Sequence, residues 1–95
     1  MAYNVRPLAS FERGLERLDK QIARRIIGKI NSLADNPESI GRPMGGLPKD
    51  FAGLHKLRVG DWRVFFWVDH GNKELILYLV DHRDDIYKSL YRKNK

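Results

Sequence analysis

Residues 53–64 read Gly53-Leu54-His55-Lys56-Leu57-Arg58-Val59-Gly60-Asp61-Trp62-Arg63-Val64, and this run decides the fold. From Leu54 to Val59 the pattern has a period of two, that of a strand whose successive side chains point to opposite faces. Gly60-Asp61 then reads as a two-residue hairpin turn, because glycine takes the positive φ that such turns demand. Trp62 to Asp69 is the partner strand. His70-Gly71-Asn72-Lys73 turns the chain again, and Glu74 to Asp81 makes a third strand. Trp62–Val68 and Leu75–Val80 are apolar at both parities, as central strands are in a sheet covered on both sides.

Upstream of this run the period changes. Leu8, Phe11, Leu15, Leu18, Ile22, Ile26, Ile30 and Leu33 recur at spacings of three or four, one apolar stripe at helical period. Asp19 interrupts the stripe as an N-cap. The reading is two helices, roughly Ala9–Leu18 and Lys20–Asp35, with Asn36-Pro37 stopping the second, since the residue before proline is pushed out of the α region. Tyr3 to Arg6 alternates weakly as a short first strand. Three of the four prolines and four of the eight glycines fall within residues 36–53, which marks a long irregular loop that Met44, Leu47 and Phe51 pin to the core. Asp84 to Arg92 carries Ile86, Leu90 and Tyr91 at helical spacing and reads as a last helix. The expected fold is α+β in the order β-α-α-β-β-β-α: an N-terminal strand, a helical hairpin, a three-stranded antiparallel meander and a C-terminal helix.

The 95 residues are enough for one domain, residues 1–95, and too few for two cores. With 42% hydrophobic and 32% charged residues, a packed core is expected and disorder is not. No cysteine is present, which excludes disulfides, a thiolate nucleophile and Cys-based metal centres. The three histidines lack ligand-like spacing, so no metal or other cofactor is expected. Charged residues interrupt the first twenty positions, and the longest apolar run, Val64–Val68, is far short of the roughly 20 residues of a membrane helix, so a cytoplasmic protein without a membrane partner is expected. A net charge of +6 points to a polyanionic partner, most often nucleic acid.

Parity sorts the candidate chemistry. Lys56 and Arg58 share a strand face with Leu54, while His55, Leu57 and Val59 take the other; Arg63 shares a face with Phe65 and Trp67. If the meander pairs in this order, Lys56, Arg58, Arg63, Arg83 and Tyr87 converge on one part of the sheet. Such a set suits phosphate, because guanidinium meets phosphate oxygens in a bidentate fork and keeps its charge. Each residue also has a plainer reading: solvated strand charges, a tyrosine packing a helix on a sheet, a hydrogen-bonded His82 at a strand end. No Gly-rich phosphate loop, nucleophile elbow or paired-carboxylate motif is present.

The run Gly53–Val64, with its basic-Leu-Arg-Val-Gly-Asp-aromatic-Arg core, resembles the central motif of the RelE/ParE toxin superfamily. His82-Arg83-Asp84-Asp85-Ile86-Tyr87 is similar to the family's His-Arg-x-x-x-Tyr close, and Leu18-Asp19 and Asn36-Pro37 sit where the family has the same pairs. The hairpin and Arg63 are nearer the RelE branch. The resemblance implies a RelE-like, microbial-RNase-type fold and a toxin of a type II toxin–antitoxin pair. It implies a metal-free, ribosome-dependent mRNA endoribonuclease, whose functional positions carry over onto Lys56, Arg63, Arg83 and Tyr87. His82, with an ordinary histidine pKa near 6.5, is a further catalytic candidate as acid or base, and Arg58, Lys88 and Arg92 are read as RNA contacts. It also implies a cognate acidic antitoxin, the ribosome and mRNA as partners, and operator DNA only through the antitoxin complex. Some relatives carry lysine and arginine where this chain has Leu54 and Asp81. Two alternatives stay open: a ParE-like inhibitor of DNA gyrase, and a non-catalytic RNA-binding relative.

Overall fold

The computed structural model describes residues 2–82. Within them the chain forms β1 (Asn4–Pro7), α1 (Ala9–Glu16), α2 (Lys20–Asp35), β2 (His55–Val59), β3 (Trp62–Asp69) and β4 (Glu74–Asp81), with short 3-10 turns at Pro37–Ser39 and Lys49–Phe51. The helix expected over Asp84–Arg92 lies outside the described residues. Among those residues no helix is long and apolar enough to cross a membrane.

The sheet order is β1-β4-β3-β2. The meander pairs antiparallel as the hairpin motif demands, and β1 joins as a fourth strand, parallel to β4. The β2–β3 turn has Gly60 at φ 61°, the positive value that the first central position of a II′ turn requires. The helix boundaries also follow local chemistry. Asp19 caps α2 by accepting from the Gln21 amide at 3.1 Å. The first helix ends at Glu16, two residues before the sequence expectation, because Arg17 and Leu18 bond back to Gly14 and Leu15 carbonyls in a tightened last turn.

Each face of the sheet has its own core. On one, α1 and α2 bring Phe11, Ile26 and Ile30 against Val64, Phe66, Leu75 and Leu77. Helix α1 lies so close that a Cβ on Gly14 would come within 2.8 Å of Val80 Cγ1. On the other face the long loop supplies the cover: Met44, Leu47 and Phe51 pack on Leu54, Phe65, Leu79, Trp67 and Tyr78. The Met44 amide donates to the Leu54 carbonyl at 2.9 Å, and the Trp67 indole donates to the Ala52 carbonyl at 3.1 Å. These bonds tie the loop down at two points.

Strand β4 contains the irregularity that shapes the site. Phe65 pairs with Leu79 and Phe66 with Leu77, which leaves Tyr78 as an extra residue opposite neither. The bulge breaks the period of two. Leu75, Leu77 and Val80 all reach the helix side, while Tyr78 and Leu79 both join the loop side. The Ser10 hydroxyl of α1 donates to the Tyr78 carbonyl, so the bulged backbone group is satisfied.

Candidate functional site

The register places three charged residues in one row across three strands. Arg58 of β2 stands opposite Arg63 of β3, and Arg63 stands opposite Asp81 of β4. The Tyr78 bulge makes the row possible: with unbroken alternation Asp81 would share the helix side with Leu75 and Leu77. The next row on the same face is Lys56, Phe65 and Leu79. Lys56, Arg58 and Arg63 are therefore brought together, at the turn end of the face that the loop covers.

Their surroundings differ. Lys56 and Arg58 are exposed, whereas Arg63 keeps only 7% of its surface. The Arg63 Nη1 donates to the Asp61 carbonyl at 2.6 Å, which anchors the guanidinium to its own turn. Arg58 directly opposite Arg63 is a like-charge pair that opposes strand pairing, and Asp81 on the other side of Arg63 offsets part of that charge. Three cations against one carboxylate leave the row and its neighbour Lys56 net positive, which suits an anionic ligand. A guanidinium held in place before its ligand arrives loses little freedom on binding.

His82 points elsewhere. Its ring packs on Trp62 with centroids 4.9 Å apart, and Trp62 belongs to the helix-side core; the His82 amide donates to Asp81 Oδ1 at 2.7 Å. The structure thus does not bring the His82 ring to the Lys56–Arg58–Arg63 face. Arg83, Tyr87, Lys88 and Arg92 lie outside the described residues. Of the other histidines, His55 is buried and stacks on Phe66 at 5.2 Å, and burial lowers its pKa, with a smaller contribution from the His70 charge. The His70 Nδ1 hydrogen-bonds the Tyr3 hydroxyl at 2.8 Å. Among the described residues no group of three or more His, Cys, Asp or Glu is placed to hold a metal. Sequence reasoning missed the placing of Asp81 opposite Arg63, since a bulge within the apolar run Leu75–Val80 leaves no mark on the pattern.

Residues 5–87 match the family described as the ParE toxin of type II toxin–antitoxin system, parDE. The chain belongs to the RelE/ParE superfamily of toxins. Two Mycobacterium tuberculosis relatives bear on the branch. The toxin is 32% identical to Toxin RelE over 87 residues, covering 90% of this chain and 87% of that one. It is 29% identical to Toxin RelG over 89 residues, covering 93% and 99%. Among solved structures it is similar to a chain of the RelBE2 toxin–antitoxin complex of the same organism, with 27% identity, a TM-score of 0.73 and coverage of 90% and 95%. A mutant E. coli RelE in the free state has a TM-score of 0.75 at 13% identity, covering 98% of each chain, and shares the fold. The toxin stands closer to the RelE branch than to the ParE branch.

Proposed function

We propose that this toxin is a ribosome-dependent endoribonuclease that cuts mRNA during translation and is restrained by an acidic antitoxin. The observation that carries the reading is the Arg58–Arg63 cross-strand pair with Lys56 on the same face, a concentration of positive charge at one end of the sheet. The relatives named Toxin RelE and RelG support the branch, and the relatives solved in RelBE toxin–antitoxin complexes support the antitoxin.

In this reading the ribose 2′-oxygen attacks the adjacent phosphorus and the P–O5′ bond breaks. The products are a 2′,3′-cyclic phosphate and a 5′-hydroxyl, with the proton of the 2′-OH removed and one delivered to the leaving oxygen. Charge grows on the non-bridging oxygens as the phosphorane forms. Arg63, fixed by the Asp61 carbonyl, is placed to stabilise that charge, with Arg83 as its second donor. Arginine is a poor proton carrier, so proton transfer falls to Lys56 and Tyr87, with Tyr87 also able to stack on a base. His82 serves the reaction only if its ring leaves Trp62. No metal enters this scheme. Arg58, Lys88 and Arg92 hold the RNA backbone.

A site of this kind stabilises charge but does not by itself align a flexible ribose. Alignment is worth roughly 7–11 kcal/mol, and a ribosome that holds the codon supplies it. Purified toxin with one mRNA, free in one tube and on programmed ribosomes in another, tests the reading. Cuts between the second and third codon positions on the ribosome alone are expected. Equal cutting of naked RNA overturns the ribosome dependence, and no cutting in either tube overturns the nuclease reading. The family's ParE description favours one rival, a gyrase inhibitor, for which expression induces the DNA-damage response without cut messages.

A further inference from the structure

The helix side of the toxin carries a second basic feature that the proposed cleavage face does not use. Helix α2 bears Lys20, Arg24, Arg25 and Lys29, and its only acid is Asp35 at the last position. The charge order works against the helix. Lys20 sits at the positive end of the macrodipole and Asp35 at the negative end. Lys20–Arg24 and Arg25–Lys29 are like-charge pairs four residues apart. All four cations are exposed, and among the described residues none is ion-paired with a carboxylate. The cations form two adjacent pairs on the exposed half of the helix, Lys20–Arg24 on its outer face and Arg25–Lys29 along the flank, and a polyanion would relieve the repulsion within each pair.

Beside it lies a pocket of about 210 Å³ between α2 and the β2–β3 turn, lined by Ile22, Arg25, Val59, Gly60, Asp61 and Trp62. Its size is below the ~300–1,000 Å³ of drug-sized ligand sites, so it suits one planar ring system. The Arg25 guanidinium lies over Gly60, where a Cβ would stand 3.5 Å from its Nη2. Trp62 offers a half-buried indole. Asp61 at the same pocket disfavours a phosphate there and accepts from the N–H groups of a base edge. An aromatic wall, a cation and an acceptor together suit an unstacked nucleobase.

We propose that α2 and the β2–β3 turn form a second RNA-binding surface, in which one unstacked base enters the pocket against Trp62 and the flanking phosphates lie along Arg25 and Lys29. It rests on the reading of the toxin as RNA-directed. It lies across the sheet from the Arg58–Arg63 pair, so RNA bound here passes around the turn from the cleavage face.

A hexamer of 2′-O-methyladenosine, which has no free 2′-hydroxyl to attack, is the probe. Titrated into the toxin, it should move the indole N–H signal of Trp62 in a ¹⁵N-correlated spectrum and leave that of Trp67, under the loop, in place. An abasic hexamer should bind more weakly and leave Trp62 unmoved. Arg25→Gln should weaken hexamer binding about tenfold, the loss of one charge-assisted contact. Lys29→Gln should lower the slope of log K against log salt by about 0.7. A Trp62 signal that stays still, or moves equally with the abasic hexamer, overturns the proposal. So does a signal that answers an acidic helical peptide and no RNA. Retention of wild-type toxin, against Arg25→Gln, on ribosomes without message assigns the base to ribosomal RNA; retention only on programmed ribosomes assigns it to the message. A toxin that shows these shifts yet cuts no message keeps this surface and loses the nuclease reading.

Discussion

Arg63 is the residue on which the cleavage reading turns. It lies between Arg58 and Asp81, is almost fully buried, and is bonded to the Asp61 carbonyl. Arg63→Ala should lower mRNA cutting by about 10²–10³-fold, the usual cost of one oxyanion donor, about 2.7–4 kcal/mol of barrier. Arg63→Lys should recover little, since a point charge does not replace the fork. Circular dichroism checks the fold and a growth assay reads toxicity; a folded Arg63→Ala that remains fully toxic sinks the assignment. His55 makes a different prediction. Burial, and then the His70 charge, lower its folded-state pKa below the ordinary histidine value near 6.5. The unfolded chain therefore binds more protons than the folded one as pH falls below about 6.5, and stability falls with it. The contribution is fully present above the unfolded pKa and is lost as pH drops through the folded value. Urea unfolding midpoints between pH 7.5 and 5 should decline, and His55→Gln should flatten the decline. An unchanged slope in that variant assigns the acid sensitivity to another group.

At the scale of elements, α1 and β4 approach closely because Gly14 has no side chain. Gly14→Val puts a branched Cβ against Val80 Cγ1 and should destabilise by about 1–3 kcal/mol, an overpacking cost. In a domain of this size that lowers the melting temperature by roughly 4–8 °C per kcal/mol, read by calorimetry. An unchanged or higher melting temperature contradicts the close packing. The same elements show which features were legible in sequence. The Lys20–Asp35 helix was, because its apolar stripe and the Asp19 cap are local signals. So was the β2–β3 hairpin, through alternation and Gly60. The placing of Lys56, Arg58 and Arg63 on one face followed from parity together with the hairpin pairing that the Gly60-Asp61 turn sets. The Tyr78 bulge was not legible, since Leu75–Val80 is apolar at both parities and a slipped register changes nothing in the pattern. Nor was the contact of His82 with Trp62 or the pocket beside Arg25, both of which depend on how separate elements meet.

Taken whole, the toxin carries +6 on 95 residues. Association with an acidic antitoxin should be fast at low salt and slow steeply as salt rises, because long-range attraction between exposed charges is screened beyond about 8 Å at physiological ionic strength. Stopped-flow mixing from 50 to 500 mM salt measures it; an association rate that ignores salt contradicts electrostatic capture. The strand order carries a last consequence, one of timing. β4 is the final described strand in the chain, yet it lies between β1 and β3 and supplies the residue opposite Arg63. A growing chain can close the β2–β3 hairpin early, but β1 has no neighbour until residues 74–77 emerge, and the Arg58–Arg63–Asp81 row is incomplete until residue 81 does. A nascent chain that has not yet delivered residue 81 therefore holds the two arginines without the carboxylate that stands opposite Arg63. In the proposed reading, the strand order thus postpones assembly of the cleavage face until β4 has left the ribosome.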